Sequence, residues 1–202
     1  MSERDVRIAL TFDFDAYSTW IGTFGATSPS MLSRGEFGPI GVRRLLALLK
    51  QHDAKATFFT PGHTALAFPS ILCAIRDAGH EIGHHGWVHE NPCTLSPNQE
   101  REVIDRGLEA LAKVAGVRPT GFRSPAWDNS PSTVPLLLEH GFRYESSMMA
   151  RTLSPIGVAS VTADPGRKSS ASASRSTSSK CLSPGTSMTG PISNMSSRPR
   201  MA

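Results

Sequence analysis

Apolar positions along residues 1–150 follow two spacings, one typical of strands and one typical of helices. Short runs of apolar, β-branched and aromatic residues predict buried strands at 6–12, 56–60, 81–83, 120–123 and 142–146. Between these runs, apolar residues recur at helical spacing and predict helices at 40–52, 65–78, 96–115 and 130–140. Strands and helices that alternate in this way predict an α/β fold of parallel βα units.

Local signals mark the ends of the predicted helices. Ser96 and Ser130 are of the residue type that caps a helix N-terminus, and Pro131 suits a first helical position. Gly79 and Gly116 stand where a helix commonly ends in a left-handed residue. These signals support the same helix assignments as the apolar spacing.

One long segment has neither spacing. Residues 16–37 are rich in Gly, Ser and Thr and include four aromatic residues. We expect a loop there, and a loop of this length is more often functional than idle.

The composition changes sharply near residue 150. Residues 151–202 contain no aromatic residue and no histidine, so they cannot bury enough apolar surface to offset the entropy of ordering. We therefore expect a domain at 1–150 and a disordered, Ser- and Arg-rich tail at 151–202. The tail is either an ordinary flexible extension or, as we prefer, the replacement of a lost C-terminal part, for example after a frameshift. The abrupt end of the predicted sheet at residue 147 motivates the second explanation.

Charge and cysteine content argue against several functions. Residues 1–150 carry 14 Lys or Arg and 16 Asp or Glu, a net charge of −2, so the basic character of the chain comes from the tail. The sequence lacks a basic stripe with interleaved aromatics, so we expect no nucleic-acid partner. No apolar run approaches the length of a membrane span, so we expect no membrane partner. Three scattered cysteines and a polar start without an apolar signal segment lead us to expect a cytoplasmic protein.

Metal-ligating residue types follow two of the predicted strands. Asp13 and Asp15 come at the end of the first strand, and His85 and His89 come after the third. A carboxylate and two imidazoles are the protein ligands of a common open zinc site. We therefore predict that Asp15, His85 and His89 bind a divalent metal, with Zn²⁺ favoured and Co²⁺, Ni²⁺ or Fe²⁺ as alternatives. Their four-residue spacing would let the two imidazoles face one way on a helical turn.

Asp13 is the candidate general base. Of two carboxylates beside a dication, one can ligate while the other takes a proton from a water that the metal activates. The alternatives for Asp13 are a second metal ligand and a structural hydrogen-bond acceptor. His80 and His84 repeat the spacing of the histidine pair, but we expect both to be structural or supporting, and we expect Cys93 to be a packed thiol.

A third group of candidates follows the fourth predicted strand. Arg123 can orient Asp13 through a charge-assisted hydrogen bond, and the backbone N–H of Ala126 can help to hold a tetrahedral oxyanion. Trp127 can stack on a sugar ring, with core packing as the alternative. Trp87, inside the histidine segment, is a further candidate for substrate contact.

Together these segments resemble the polysaccharide deacetylase family, also called the family-four carbohydrate esterases. The motif Thr-Phe-Asp-Asp-Gly corresponds to residues 11–16, His-(Ser/Thr)-x-x-His to 85–89, and Arg-x-Pro with an aromatic to 123–127. The resemblance spans about residues 6–149. It implies a distorted (β/α) barrel, here incomplete, the same base and metal ligands, and hydrolysis of a non-peptide C–N bond.

Departures from the family pattern widen the expected function. The inserted Phe14 and Gly86 are similar to the branch that contains Helicobacter-type peptidoglycan deacetylases and allantoin and cyclic-imide hydrolases. The expected substrate is therefore an N-acetylated amino sugar or a small cyclic amide. The family's later motifs, including its general-acid histidine, have no counterpart, since His140 is the last histidine. An inactive product and a non-catalytic metal- or carbohydrate-binding module stay open as alternatives, as does a homo-oligomer.

Overall fold

The structure, a computed structural model, describes residues 8–148 of the 202. The strands are β1 (Thr11–Asp13), β2 (Thr57–Thr60), β3 (Glu81–His84), β4 (Gly121–Phe122) and β5 (Tyr144–Glu145). The α-helices are α1 (Pro29–Leu32), α2 (Phe37–Gln51), α3 (Gly62–Ala67), α4 (Pro69–Asp77), α5 (Pro97–Ala115) and α6 (Thr133–Glu139). The expected disordered tail at 151–202 lies outside the described residues.

The five strands form one parallel sheet in the order β1-β2-β3-β4-β5. Register pairs Asp13 with Phe59, and Phe59 with Gly83. Every connection from one strand to the next carries at least one helix, as parallel pairing requires. The α/β class of parallel βα units is thus confirmed, although β3 extends one residue beyond its predicted end and the other four strands are shorter than predicted.

Two apolar clusters attach helices to the sheet. The larger joins α2, α4 and α5 to the first three strands, and its fully buried members include Phe58, Leu72 and Leu111. The smaller joins α5 and α6 to β4 around Leu137 and Phe122. Burial of these side chains stabilises the helical layer and fixes which face of each strand points away from it.

The opposite face of the sheet is also filled. Phe59 is fully buried there, and a Cβ built on Gly83 would lie 2.4 Å from its ring. A Cβ built on Gly121 would likewise lie 2.1 Å from the nearest carbon of the Tyr144 ring. Glycines in β3 and β4 therefore leave space for aromatic rings on neighbouring strands.

Helix α5 agrees with its sequence signals. Ser96 and Gln99 form a reciprocal capping box, Pro97 is the first residue, and Gly116 ends the helix with φ of 65°. This helix, at 19 residues, is the longest between residues 8 and 148, and none of the described helices is both long and apolar enough to cross a membrane.

The prediction of one continuous helix at 65–78 is wrong. It is two helices, α3 and α4, with Phe68 between them at φ −130° and ψ 58°. Pro69 has no N–H to donate and disfavours a helical conformation at the residue before it, so the chain bends and starts a new helix. The helix predicted at 130–140 begins only at Thr133, where Ser130 Oγ accepts from Ser132 N at 2.9 Å.

The loop predicted at 16–37 is also wrong in part. It contains a π-helical turn at Thr19–Thr23, then α1, then a 3₁₀ turn at Ser33–Glu36. Its glycines allow close packing, since a Cβ on Gly35 would lie 2.7 Å from the backbone of Ala16 and Tyr17. Close backbone approach of this kind leaves no periodic apolar pattern in the sequence, which is why the segment looked like a loop.

The two helical glycines Gly107 and Gly41 should respond oppositely to alanine. A Cβ on Gly107 in α5 would lie 2.1 Å from His84 Nε2 and 2.8 Å from Gly86 O, whereas the nearest atom to a Cβ on Gly41 in α2 is Phe37 Cε1 at 3.7 Å. We expect Gly107→Ala to lower the free energy of unfolding by about 1–3 kcal/mol through overpacking. Gly41→Ala should raise it by up to about 1 kcal/mol through helix propensity. Urea unfolding followed by circular dichroism measures both, and stabilisation by Gly107→Ala would contradict this packing.

Candidate metal centre

The candidate residues gather where three strands end. Asp13 is the last residue of β1 and Asp15 lies two residues further on, while His85 follows β3 directly and Arg123 follows β4. The carboxyl ends of parallel strands meet at one edge of a sheet, where binding sites of α/β proteins commonly form. The fold thus brings together residues that are up to 110 positions apart in the chain.

Asp15, His85 and His89 form a compact cluster. One potential ligand atom from each of the three lies within 4.8 Å of the others. Asp15 Oδ1 is 3.5 Å from His85 Nε2, and Asp15 Oδ2 is 3.5 Å from His89 Nε2. The two imidazole rings stand nearly perpendicular, with centroids 4.9 Å apart. Each carboxylate oxygen therefore faces one imidazole nitrogen, as ligands around one ion would.

The expected helical turn between the two histidines is wrong. Residues 85–91 contain no regular element, and Gly86 and His89 both have left-handed backbones, with φ of 74° and 66°. Gly86 can adopt this conformation without a Cβ penalty, so the chain turns sharply after β3 instead of winding into a helix. Backbone hydrogen bonds from Gly62 N to Gly86 O and from His63 N to Trp87 O tie the turn to α3.

Hydrogen bonds orient both imidazoles. His85 Nδ1 lies 2.7 Å from the carbonyl oxygen of Arg123, which can only accept, so the ring proton is on Nδ1 and Nε2 is free. His89 Nδ1 lies 2.6 Å from Thr23 Oγ1. Burial lowers the pKa of His85 to about 4, despite the opposing charge of Asp13, and burial also lowers the pKa of His89. Both rings are therefore neutral at pH 7, the state in which imidazole binds a metal.

Within residues 8–148, Asp15 forms no direct ion pair with a lysine or arginine. Burial, and secondarily the charge of Asp13, raises the pKa of Asp15 to about 7, although Arg123 acts in the opposite direction. The side chain is 23 % exposed, but its Oδ1 is buried and has no hydrogen-bond partner among residues 8–148. A divalent cation would supply the missing charge and a partner for that oxygen. The donor set of one carboxylate and two neutral imidazoles fits Zn²⁺ and related borderline metals.

Asp13 is held apart from the cluster by Arg123. Arg123 Nη1 donates to Asp13 Oδ1 at 2.7 Å, and the remaining guanidinium nitrogens donate to Thr11 Oγ1 at 2.8 Å and Ser146 Oγ at 2.9 Å. The guanidinium carbon also lies 4.2 Å from the centroid of the Phe59 ring. The bond between Arg123 and Asp13 that the sequence predicted is present, whereas Thr11 and Ser146 were not anticipated.

The predicted substrate contacts differ in where they lie. The Trp127 ring is 51 % exposed with its centroid 5.1 Å from the Arg123 guanidinium, and Ala126 beside it is also exposed. Both residues have φ of 57°, so the turn after β4 is strained. The Trp87 ring instead packs against α3 and α5, beneath the guanidinium of Arg106 at 4.3 Å. These contacts do not support a role for Trp87 in binding substrate.

The other histidines occupy structural positions. His84 is fully buried, its Nε2 lies 3.1 Å from Ile104 O, and its ring stacks on Phe122. His80 lies at the opposite end of β3, where Ala56 N donates to its Nδ1 at 3.3 Å. Neither ring lies in the cluster found among the described residues, as expected from the sequence.

Comparison with known proteins extends these findings. A family model described as polysaccharide deacetylase matches residues 2–145. A peptidoglycan deacetylase of Helicobacter pylori is 40 % identical over 154 residues, which cover 75 % of this chain and 53 % of that protein. A crystal structure of a Mycobacterium smegmatis protein, assigned provisionally as a polysaccharide deacetylase, matches with a TM-score of 0.67 and 43 % identity over 70 % of this chain and 50 % of that one.

A crystal structure of an allantoinase is also similar. It has a TM-score of 0.58 and 26 % identity, over 68 % of this chain and 52 % of its own. The chain thus spans about half the length of the relatives that it matches.

Replacing Asp15 by asparagine separates metal binding from folding. Zinc at 100 times its Kd should raise the free energy of unfolding of the unchanged protein by about 2.7 kcal/mol. The Asp15→Asn protein should lose this stabilisation, yet without metal it should be at least as stable, because an uncompensated buried charge has been removed.

Thermal unfolding at pH 7 with and without zinc measures both effects. Asp77→Asn is the matched control, since Asp77 ends α4 and is paired with Arg76. It should retain the full response to zinc. Equal stabilisation of the Asp15→Asn protein by zinc would show that the ion binds elsewhere.

Proposed function

The chain belongs to the polysaccharide deacetylase family, and from this premise we propose that it hydrolyses a non-peptide C–N bond, removing the acetyl group from an N-acetylated amino sugar. The observation that carries the proposal is the pairing of two different carboxylates at one site. Asp15 lies with His85 and His89, while Asp13 is bound to Arg123. This arrangement supplies ligands for a divalent cation and, beside them, a second carboxylate, that of Asp13, outside the ligand set.

Asp15, His85 and His89 would hold the divalent cation, and Zn²⁺ suits their donor atoms best. When bound, such an ion supplies Lewis acidity, which polarises a carbonyl group and makes water more acidic. The hydrogen bonds of His85 and His89 through Nδ1 keep both Nε2 atoms directed at Asp15. The protein therefore needs little reorganisation to receive the ion.

Asp13 would act as the general base. Its side chain is 27 % exposed, so water and substrate can reach it. Arg123 occupies Oδ1, which leaves Oδ2 as the oxygen to take a proton from the attacking water. The water oxygen then bonds to the acyl carbon, and the bond from that carbon to nitrogen breaks. Asp13 can return its proton to the leaving amine, so that acetate and a free amine are released.

The turn after β4 would contact the substrate. The backbone N–H of Ala126 is a candidate donor to the developing oxyanion, and the half-exposed Trp127 ring offers a flat surface to a sugar ring. The Trp127 ring lies beside Arg123, which binds the base, so substrate stacked there would be close to Asp13. A carbohydrate substrate agrees with this exposed aromatic surface.

A second candidate is hydrolysis of a small cyclic amide. The similarity to an allantoinase and the residue Phe14 between the two aspartates favour it. The Phe14 side chain packs against Phe68 in the larger apolar cluster, away from the carboxylates of Asp13 and Asp15 on either side of it in the sequence. The cytoplasmic location expected from the sequence also suits a small substrate, and it stays a prediction.

Substitution of Asp13 tests the role of the base. With zinc present, the unchanged chain should release acetate from an N-acetylglucosamine oligomer or open a cyclic imide ring. Asp13→Asn should lower kcat by about 10²–10⁴-fold, because the general base is removed. Its zinc affinity should stay close to that of the unchanged protein, since Asp13 is not in the ligand cluster and asparagine keeps an Oδ1 that can accept from Arg123.

Acetate release, imide absorbance and zinc competition with a coloured chelator give the three readouts, with Asp77→Asn as the control. Zinc binding without turnover on any substrate would favour a non-catalytic binding module. A well-folded sample that neither binds zinc nor turns over would favour an inactive family member.

A further inference from the structure

We propose that Thr23 is a positioning residue that holds the metal ligand His89 in its binding orientation and fixes its tautomer. The inference rests on the proposed function, because it concerns the same metal site. Thr23 ends the π-helical turn Thr19–Thr23, in the segment that the sequence predicted to be a loop. No motif singles it out, and its role follows from contacts alone.

One hydroxyl group of Thr23 makes two hydrogen bonds to His89. Its Oγ1 lies 2.6 Å from His89 Nδ1 and 3.2 Å from the carbonyl oxygen of the same residue. A carbonyl oxygen can only accept, so Oγ1 makes both hydrogen bonds only when its single proton goes to the carbonyl. The imidazole must then donate from Nδ1 to Oγ1. This assignment places the ring proton on Nδ1 and leaves the lone pair of Nε2 facing Asp15, 3.5 Å away.

The backbone of His89 needs this support. Its φ of 66° lies in the left-handed region, which is unfavourable for a residue with a side chain. Such conformations persist when the surroundings hold them, and Thr23 holds both the carbonyl group and the ring. Loss of the hydroxyl would release two constraints on the ligand at once.

Close packing places Thr23 against the histidine segment. A Cβ built on Gly22 would lie 1.8 Å from Val88 O, so only glycine allows the turn to approach so closely. Backbone hydrogen bonds from Gly25 N to Ile21 O and from Ala26 N to Trp20 O fix the shape of the turn. The segment 19–23 is therefore part of the wall of the metal centre.

The two imidazole ligands are supported by different kinds of group. His85 is oriented by a backbone carbonyl, that of Arg123, which no side-chain substitution removes. His89 is oriented by a side-chain hydroxyl, which a single substitution removes. The Thr23 bond is therefore the orienting contact that can be tested by mutation.

Two substitutions at Thr23 test the proposal. Thr23→Val keeps the shape and removes the hydroxyl, whereas Thr23→Ser keeps the hydroxyl and removes the methyl group. Partners that orient a metal-bound histidine commonly contribute 10–100-fold to metal affinity, so we expect Thr23→Val to weaken zinc binding by about that factor. Thr23→Ser should restore most of it. Thr94→Val is the matched control, because Thr94 Oγ1 donates to Asn91 O on an exposed turn.

The readouts are zinc affinity by chelator competition and the visible spectrum of the cobalt-substituted protein. Thr23→Val should change the cobalt spectrum, and Thr94→Val should not. Unchanged zinc affinity and spectrum in the Thr23→Val protein would overturn the proposal, as would failure of Thr23→Ser to recover either.

A measurement on the unchanged, metal-free protein decides the tautomer without any variant. Long-range ¹H–¹⁵N NMR of the imidazoles should show His89 protonated at Nδ1, and protonation at Nε2 would overturn the proposal even if Thr23→Val did not fold. Failure of the unchanged protein to bind zinc would instead count against the proposed function. The NMR result would then still decide whether His89 carries its proton on Nδ1, as the two contacts with Thr23 require.

Discussion

The guanidinium of Arg123 joins parts of the sheet that are not neighbours. Arg123 follows β4 and bonds to Ser146 just after the neighbouring strand β5, yet it also bonds to Thr11 and Asp13 on β1. In the strand order, β2 and β3 lie between β1 and β4. The Arg123 side chain spans these two strands, with its guanidinium above the ring of Phe59 on β2. The sheet must therefore curve, with Arg123 on its concave face.

That curvature depends on a compensated buried charge. Arg123 is only 6 % exposed, and a guanidinium so buried requires an anionic partner and satisfied donors. Asp13 provides the charge, while Thr11 and Ser146 accept from the other nitrogens. Breaking this pair would leave an uncompensated charge and would remove the contact that draws β1 towards β4.

The same pair gives two nearby aspartates different properties. Asp13 is bound to Arg123 and partly exposed, whereas Asp15 faces two imidazoles with a buried oxygen that has no hydrogen-bond partner within the described chain. The proposed function makes Asp13 the general base and Asp15 a metal ligand, the two roles that metal-assisted hydrolysis requires of carboxylates. Phe14 lies between the two aspartates, and its side chain is buried in the larger apolar cluster.

The sequence was sufficient to predict the residues that follow strands. Asp13, Asp15, His85 and Arg123 each lie at or just after the end of an apolar run, and parallel strands bring such positions together. The two histidines of the pair lie together, as the sequence predicted, but for a different structural reason. The proximity of His85 and His89 comes from a left-handed turn at Gly86 and not from a helix.

Contacts between segments distant in sequence could not be predicted from local patterns. Thr23 reaches His89 only because Gly22 lets one backbone lie against another, and Ser146 reaches Arg123 because β5 pairs with β4. A serine or threonine in a polar segment carries no signal of such a role. The split at Pro69, by contrast, had a local signal in the sequence, since proline disfavours helix at the residue before it.

The most direct test of the account is a crystal structure of the zinc-loaded protein with data collected at the zinc absorption edge. We expect one anomalous peak about 2.0–2.2 Å from Nε2 of His85, Nε2 of His89 and a carboxylate oxygen of Asp15, with Asp13 still bound to Arg123. A peak at another place, or Asp13 rather than Asp15 among the ligands, would contradict the division of roles between the two aspartates.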